Sequence, residues 1–385
     1  MRKAVVVEAV RTPIGRAHAE KGMYRDVRAD DLSADLMRAL LHRAKMPASD
    51  VEDIHWGCVK QEREQGYDVA RMAGLIAGFP IEVAGVTVNR NCGSSLQAIN
   101  QAAQSIAAEC EDVLIAGCVE HMDHIPMESG IDISPRYLYR HSEATLMMGL
   151  TAENLAIRYR ISRREQDEFA LRSHRRAAEA TDSGAFQSEI VPTWGRDDEG
   201  RKRLLTTDQC IRRDTSIESL AALKPAFMPE GGTITAGNSS PLNVGAAAVL
   251  VVAEERAHDL GLKAKARIRA MAVAGVDPSV MGIGPVPAVH KVLKRAGLQL
   301  ADIGLIEINE AFAAQTLAVI KLLGADSEKV NVRGGAIAIG HPLGASGARI
   351  ATTLIHAMRD RKVQFGLATM CIGAGQGIAT IFEAI

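Results

Sequence analysis

The chain has 385 residues, which at about 150 residues per domain predicts two or three compact units rather than one. Its 45 Lys and Arg residues nearly balance its 46 Asp and Glu residues, so a net charge of −1 gives no global attraction to nucleic acid or to an anionic membrane. Hydrophobic residues make up 47% of the chain but aromatic residues only 4%, and 34 residues are Gly. This composition is typical of a tightly packed α/β enzyme.

Membrane insertion and secretion are both disfavoured. The longest apolar run, residues 244–253, falls short of the roughly 20 residues that a membrane helix needs. Residues 1–8 open with basic side chains, but Glu8 breaks the apolar stretch and no small-residue cleavage site follows, so we expect a first β-strand there. Six scattered cysteines without a C-x-x-C pair argue against a disulfide framework and favour a reducing cytoplasm.

Short apolar runs alternate with helical patterns at both ends of the chain. This alternation is the pattern of an α/β fold. The predicted strands cover residues 4–7, 86–88, 113–116, 266–273, 305–308, 330–332, 365–370 and 378–382.

The two ends of the chain also resemble each other. Residues 40–54 match residues 292–306 at a constant offset of 252, and the same offset carries the predicted strand 113–116 onto 365–368. Self-similarity at a fixed offset indicates two copies of one structural unit. We therefore predict a duplicated α/β core.

Between the copies, from about 120 to 230, the sequence becomes more polar. A charged helix is expected over residues 162–180, and residues 191–200 are loop-like and rich in Pro, Gly and Asp. We interpret this stretch as an inserted subdomain, although a long surface excursion is an alternative. The run 244–253 is expected to return the chain to the first half as a buried strand.

A first candidate loop surrounds Cys92. Residues 86–95 lead from a predicted strand into a helix, so Cys92 is expected at the helix N-terminus. Unpaired N–H groups and the helix dipole favour an anion there, which predicts a thiol that ionises more readily and acts as a nucleophile. The alternative is a small buried cysteine without a chemical role.

A second loop, residues 334–347, contains five glycines and His341. The glycines would let the backbone approach a ligand closely. Because Cys92 plus the offset of 252 is 344, His341 lies in the second copy's counterpart of the Cys92 loop. Packing of the two copies would then bring a base to a nucleophile. A hydrogen-bonded core histidine is the alternative.

A third loop, residues 371–377, has glycines at alternate positions after a predicted strand. Its N–H groups could point at a developing oxyanion, or the segment could be only a tight hairpin. Asn309 follows the predicted strand 305–308 and supplies an amide that could orient a water molecule.

Other chemistry is disfavoured. Cys118, His121 and His124 suggest a metal site, but no fourth ligand is evident and their spacing fits no zinc pattern, so we predict no metal. Neither a G-x-x-x-x-G-K phosphate loop nor a G-x-G-x-x-G dinucleotide fingerprint after a strand is present, which disfavours kinases and dehydrogenases.

Five segments resemble signature sequences of the thiolases, in family order. These are residues 8–13, 89–94, 309–313, 334–342 and 371–377, and the resemblance covers nearly the whole chain. Residues 119–122, 147–153 and 364–370 are also similar to the β-subunit of the bacterial fatty-acid oxidation complex, a degradative 3-ketoacyl-CoA thiolase. The chain is therefore identified as a member of the thiolase family.

The resemblance implies a thiolase fold, a duplicated five-layer αβαβα core with an inserted loop domain. Residues 1–120 would form the N-terminal half, completed by about 231–265. Residues 121–230 would form the loop domain and residues 266–385 the C-terminal half.

The resemblance also implies residue roles. Cys92 would attack the 3-keto carbon of a 3-ketoacyl-CoA, His341 would take its proton, and Cys371 would protonate the acetyl-CoA enolate and later deprotonate CoA. One oxyanion hole would combine His341 with a water held by Asn309, and the other the amides of Cys92 and Gly373. The residues that would line the CoA site are Arg212, Ser219, Phe227, Ser240 and Phe312, with Arg213 also available to the nucleotide phosphates.

CoA would be a co-substrate, with no permanently bound cofactor. A homodimer within an α2β2 complex is implied, together with a hydratase/3-hydroxyacyl-CoA dehydrogenase subunit. Met147 replaces the His usual in short-chain biosynthetic thiolases and favours degradation, while Pro241 and Val244 depart from the family pattern beside the CoA site. A biosynthetic acetoacetyl-CoA thiolase and a catalytically silent thiolase-like carrier are the alternatives.

Overall fold

The computed structural model describes residues 2–385, and most of its strands join in one ten-stranded sheet. The strands are β1 (Ala4–Arg11), β2 (Gly15–Arg16), β3 (Asp53–Gly57), β4 (Val86–Val88), β5 (Val113–His121), β6 (Thr193–Arg196), β7 (Lys202–Leu205), β8 (Asn243–Ala253), β9 (Ala266–Gly275), β10 (Leu305–Ile308), β11 (Phe365–Ile372) and β12 (Gln376–Ala384). The order in the large sheet is β10-β11-β12-β9-β1-β8-β5-β3-β4, with β2 paired to β8, while β6 and β7 form a separate pair.

Helices cover the sheet and build the segment between the two copies. They are α1 (Ala29–Ala44), α2 (Val69–Ile76), α3 (Ser94–Ala107), α4 (Pro135–Arg140), α5 (Met148–Tyr159), α6 (Arg163–Asp182), α7 (Ile217–Ala221), α8 (Glu254–Asp259), α9 (Pro285–Ala296), α10 (Ala313–Leu323), α11 (Ala336–Ile339) and α12 (Ser346–Arg361). Across the described residues, no helix is both long and apolar enough to cross a membrane.

The elements stack in five layers. An outer layer of α1 and α2 packs on one sheet face of the first half, and α9 and α10 pack on the corresponding face of the second half. Between the halves, α3 and α12 share one apolar core with strands of both. The halves also join along the sheet, where Val5 and Val6 of β1 pair with Arg267 and Ala266 of β9. The predicted αβαβα architecture is confirmed.

The structure repeats the offset seen in the sequence. Helix α3 begins at Ser94 and α12 at Ser346, 252 residues later, and short 3₁₀ turns at Ala48–Asp50 and Leu300–Asp302 keep the same separation. Helix α3 buries Leu96 and Ile99, as its apolar spacing predicted. The duplicated core is confirmed.

Strand β8 runs antiparallel between β1 and β5 and is buried along its whole length, so the predicted return of the chain is confirmed. Helix α6 begins with a capping box between Ser162 and Glu165 and packs against α10 and α11 of the second half. The division into two halves and a loop domain stays a prediction.

One predicted strand, 330–332, is wrong. Only Val330 forms an isolated bridge, to Ile306, and Asn331 has a positive φ of 49°. The Asn331 side chain bonds the backbone of Ile308 in both directions, at 2.8 and 2.9 Å. These side-chain bonds take the place of a strand's backbone pairing.

Candidate active site

Cys92 lies between the end of β4 and the start of α3, as predicted. Gly93 caps α3, and Asn91 has a φ of 46° and donates its side-chain amide to the carbonyl of Gly373 at 3.3 Å. A Cβ atom on Gly93 would come within 2.6 Å of Ile372. Glycine at this position therefore lets the Cys92 loop pack closely against the loop that follows β11.

The expectation that the helix N-terminus ionises Cys92 is wrong for the resting protein. Burial raises the pKa of the thiol to about 11, although the amide N–H groups of Gly373 and of Cys92 itself lie within hydrogen-bonding reach and act in the opposite direction. Desolvation of the thiolate outweighs these two amides. The thiol consequently keeps its proton at neutral pH and needs a base to become a nucleophile.

His341 has the form that such a base requires. Its Nδ1 contacts the hydroxyl of Ser346, and that hydroxyl donates its only proton to the carbonyl of Pro342 at 3.0 Å. We assign the imidazole proton to Nδ1, which then donates to Ser346, and this assignment leaves Nε2 unprotonated. The backbone N–H of His341 is held by the side-chain oxygen of Asn243 at 2.8 Å.

The surroundings of His341 keep the ring neutral. Burial lowers its pKa to about 3, and the positive charge of Arg349 acts in the same direction. The side-chain nitrogen of Asn309 lies 3.4 Å from both ring nitrogens, and Asn309 is fully buried, as predicted. The imidazole and the amide thus meet at one position, and both can donate to an oxyanion once Nε2 has taken a proton.

The glycines of the second loop serve packing within the protein. A Cβ on Gly335 would overlap the carboxylate of Glu310, one on Gly340 would meet Asn243, and one on Gly344 would approach Glu120. The expected close approach of this backbone to a ligand stays a prediction. These glycines let three buried polar side chains contact the loop that carries His341.

The first two loops meet at one end of the middle helical layer. The amide of Ala348 in α12 donates to the hydroxyl of Ser95 in α3 at 2.8 Å, and the thiol of Cys118 contacts the carbonyl of Ala345 at 3.3 Å. The N-termini of α3 and α12 are therefore adjacent. Cys92 directly precedes one of them, and the His341 loop leads into the other.

Cys371 lies within β11 and pairs with Gly377 across a hairpin, so this third loop is a tight turn. The turn also brings the amide of Gly373 to the Cys92 thiol, while its role at an oxyanion stays a prediction. Cys371 is only 2% exposed. Burial, with the nearby Cys92, raises the pKa of its thiol well above the ordinary value, so Cys371 is protonated at rest and can act as an acid.

An aromatic pair borders Cys371. The rings of Phe227 and Phe312 meet edge to face with centroids 6.0 Å apart, and Phe312 shares an apolar cluster with Cys371 and Met148. The Ser240 hydroxyl donates to the carbonyl of Ala311 at 3.2 Å. Three of the five predicted CoA-site residues are thus brought together.

The other two predicted CoA-site residues, Arg212 and Ser219, lie on the exposed surface near α7, where Ser219 completes the capping box of that helix. Val244 is buried in the apolar core shared with α1. Met147 is half-exposed, whereas the sulfur of Met148 would lie 3.5 Å from a Cβ on Gly373. Met148 is therefore the methionine that borders the loop containing Gly373.

Comparisons with known proteins agree with this geometry. Residues 4–255 match the model of the thiolase N-terminal domain, and residues 262–384 match that of the thiolase C-terminal domain. The chain belongs to the thiolase family. It is 58% identical to the 3-ketoacyl-CoA thiolase of Pectobacterium carotovorum and 56% identical to that of Serratia proteamaculans, with all of each chain covered.

Two solved thiolase structures share the fold. The acetyl-CoA acetyltransferase of Bacillus anthracis superposes with a TM-score of 0.91 at 40% identity, and human mitochondrial 3-ketoacyl-CoA thiolase with a TM-score of 0.91 at 39% identity. Each comparison covers 100% of this chain and 99% of the other. The core of this thiolase is therefore similar to enzymes with either name.

A histidine pair lies outside the site. Glu64, His121 and His124 each place one ligand atom within 4.8 Å of the others, while Cys118 bonds two backbone carbonyls. The two imidazole rings are stacked with centroids 3.6 Å apart and planes 16° from parallel. A metal ion cannot lie in both ring planes in that arrangement, and each ring nitrogen already has a hydrogen-bond partner. This geometry supports the prediction of no metal.

Sequence reasoning missed three groups that hold the site of this thiolase together. They are Asn243, which fixes the backbone of His341, Ser346, which sets its tautomer, and Glu120, which accepts the amide of Gly344. Glu120 is an acid near the end of the largely apolar strand β5, and Asn243 opens the apolar strand β8. Such isolated polar residues are buried only with partners, which is the signal that could have found them.

Proposed function

We propose that this thiolase catalyses the CoA-dependent cleavage of 3-ketoacyl-CoA in fatty-acid β-oxidation. The products are acetyl-CoA and an acyl-CoA shortened by that unit. The observation that carries the proposal is the adjacency of the Cys92 and His341 loops at the N-termini of α3 and α12, with the Gly373 amide at the Cys92 thiol and a neutral imidazole at His341. Relatives 55–58% identical over the whole chain that are named 3-ketoacyl-CoA thiolase support the substrate class.

In the first half-reaction, Nε2 of His341 takes the proton of Cys92 as the thiolate attacks the 3-keto carbon. The resulting oxyanion collapses, the C2–C3 bond breaks, and its electron pair passes to the acetyl-CoA enolate. Cys371 gives its proton to C2 of that enolate, and acetyl-CoA leaves. The acyl group stays on Cys92 as a thioester.

In the second half-reaction, the Cys371 thiolate takes the proton of an incoming CoA thiol. The CoA thiolate attacks the acyl carbon, and its oxyanion accepts hydrogen bonds from the amides of Cys92 and Gly373. Cys92 leaves as a thiolate and recovers its proton from the imidazolium of His341. Because burial raises the pKa of the Cys371 thiol, Cys371 is protonated before the first half-reaction, and the thiolate that this step leaves readily removes the CoA proton.

Asn309 and His341 are proposed to hold the enolate oxygen, with a water molecule bound between the Asn309 amide and the substrate. CoA acts as a co-substrate and no cofactor is bound permanently. Phe227, Phe312 and Ser240 are proposed to line the CoA channel near the chemistry, and the exposed Arg212 and Ser219 are proposed to contact its nucleotide end.

The biosynthetic reaction is a second candidate because it uses the same residues, and a solved acetyl-CoA acetyltransferase has an equal TM-score. Chain length separates the two. Met148 in the apolar cluster with Cys371 favours an acyl chain over an acetyl group alone, since a thioether packs flexibly against alkyl groups.

The test is thiolysis measured across 3-ketoacyl-CoA chain lengths, with Cys92→Ser as the variant without a nucleophilic thiol. We expect activity that persists or rises beyond acetoacetyl-CoA and is lost in the variant. Activity confined to acetoacetyl-CoA would select the biosynthetic enzyme. A wild-type protein inactive on every length with its partner subunit present would select a silent carrier.

The assembly is proposed to be a homodimer within an α2β2 complex with a hydratase/3-hydroxyacyl-CoA dehydrogenase subunit, in the cytoplasm. The short strand β4 lies at an edge of the sheet, and Tyr67, Ile81 and Val86 expose apolar surface near it. A free edge with apolar neighbours is suited to pair with a second copy. Sedimentation of the purified chain tests the dimer, and co-purification of a larger chain tests the complex.

A further inference from the structure

Arg349 is a fully buried arginine on α12 that faces β10. Within residues 2–385, none of its three guanidinium nitrogens has a hydrogen-bond partner. One carboxylate oxygen of Glu307 lies 3.7 Å from Nη1, which is beyond hydrogen-bonding distance. A buried cation with all its donors unpaired is strongly unfavourable, so this site must satisfy the guanidinium in another way.

Three more buried polar atoms without a hydrogen-bond partner belong to residues of β10, of the position after it and of α12. They are Oε2 of Glu307, Oδ1 of Asn309 and Oγ1 of Thr352. Thr352 lies three residues after Arg349, on the same side of α12. Glu307 and Asn309 are two residues apart along the direction of β10, so their side chains share the face that is turned toward that helix. The intervening residues Ile306 and Ile308 point to the opposite core, beside α9.

The charge of Arg349 is only partly balanced. Burial raises the pKa of Glu307 to about 8, so this carboxyl is largely protonated at neutral pH. The other charged groups that act on Arg349 are Glu310, Glu189 and Arg11. The cation lowers the pKa of His341, so its positive potential reaches the catalytic base.

We propose that Arg349 is a positioning residue of the oxyanion hole formed by His341 and Asn309. With Glu307 and Thr352, it binds a group of buried water molecules that extends to Oδ1 of Asn309. Each such water can join two to four of these unpartnered atoms. These waters fix the Asn309 amide so that its nitrogen holds the water that binds the enolate oxygen, and the buried cation stabilises that oxyanion through a medium of low dielectric constant.

This inference rests on the proposed thiolysis, so the wild-type activity is measured first and its absence would count against that function alone. The variant is Arg349→Met, which removes the charge and keeps the length. Arg349→Lys keeps the charge, and Arg164→Met removes an exposed arginine on α6 as the matched control. Folding is checked by circular dichroism and thermal unfolding.

We expect Arg349→Met to lower kcat by about tenfold or more while KM for CoA stays within about twofold of wild type, because the hole acts on the transition state. Loss of the cation raises the pKa of His341, so the acidic limb of the kcat profile moves to higher pH. Arg349→Lys restores that limb, and Arg164→Met behaves as wild type. A folded Arg349→Met protein with unchanged kcat and pH profile would overturn the proposal.

If Arg349→Met does not fold, the variant Thr352→Val tests the proposal instead. This nearly isosteric change removes one hydroxyl from the water-binding group and no charge. We expect kcat to fall by about threefold or more with the unfolding midpoint close to wild type. A kcat equal to that of wild type would overturn the proposal.

Discussion

The buried carboxylate of Glu120 accepts the backbone amide of Gly344 at 2.9 Å, and this bond joins the two halves of the molecule. Glu120 belongs to β5 in the first half, whereas Gly344 follows His341 in the second. The same carboxylate also accepts the amides of Val59 and Lys60, at 3.0 and 3.1 Å. One side chain therefore fixes the loop that carries the base against a loop of the first half.

Replacement of Glu120 by Gln should loosen both loops. The amide NH2 of Gln cannot accept the backbone N–H groups that the carboxylate accepts, so at least one buried donor loses its partner. We expect the free energy of unfolding to fall by about 2 kcal/mol, measured in urea, and kcat to fall with it. Glu168→Gln, on the exposed side of α6, is the control and should change neither. Equal stability of the Glu120 variant and wild type would contradict the role assigned to this carboxylate.

Ser346→Ala should shift the tautomer of His341 while leaving the imidazole itself in place. Nδ1–H of His341 loses its acceptor, so the tautomer with a free Nε2 is no longer favoured. We expect kcat to fall by about tenfold with little change in KM. The exposed Ser183, changed to Ala, provides the control. Wild-type kcat in Ser346→Ala would show that this hydroxyl does not set the tautomer.

The protonated resting state of Cys92 can be measured by alkylation. In a Cys110→Ala background, which removes the exposed thiol, the rate of Cys92 modification by iodoacetamide should rise about tenfold per pH unit from about pH 7 to pH 9. The reason is that burial raises the pKa of this thiol to about 11, so the thiolate fraction still increases throughout that range. A rate that is already constant near neutral pH would instead indicate a thiolate paired with an imidazolium.

Cys371→Ala should slow both half-reactions. Without the thiol, the acetyl-CoA enolate has no proton donor and the incoming CoA has no base, so we expect a fall in kcat of at least about a hundredfold. Cys110→Ala, a change of an exposed cysteine, should leave kcat as in wild type. Retention of wild-type kcat by Cys371→Ala would remove Cys371 from the mechanism.

The large features of this fold could be predicted because they depend on hydrophobic patterning. The offset of 252 placed the starts of α3 and α12 in register, and the apolar run of β8 predicted its buried position. The pattern failed at residues 330–332, where the apolar residues suggested a strand. Asn331 instead bonds Ile308 with its side chain, and such a long-range bond leaves no periodic signal.

The reactive residues of the candidate site could be predicted from the sequence, whereas the residues that hold them in place could not. Cys92, His341 and Cys371 stood out because their loops combine a reactive side chain with glycines. The expected ionisation of Cys92 failed because burial is a tertiary property that outweighs a local helix terminus. Asn243 contacts His341 across 98 residues of sequence, so only the folded chain could pair them.

The proposed mechanism depends on an acyl group carried on Cys92. The most direct measurement is intact-protein mass spectrometry after rapid mixing with 3-ketooctanoyl-CoA in the absence of free CoA, followed by peptide mapping. We predict a mass increase equal to one hexanoyl group, located on Cys92, absent in Cys92→Ser and removed by added CoA. Release of acetyl-CoA from wild type without an adduct, or an adduct on another residue, would contradict the account.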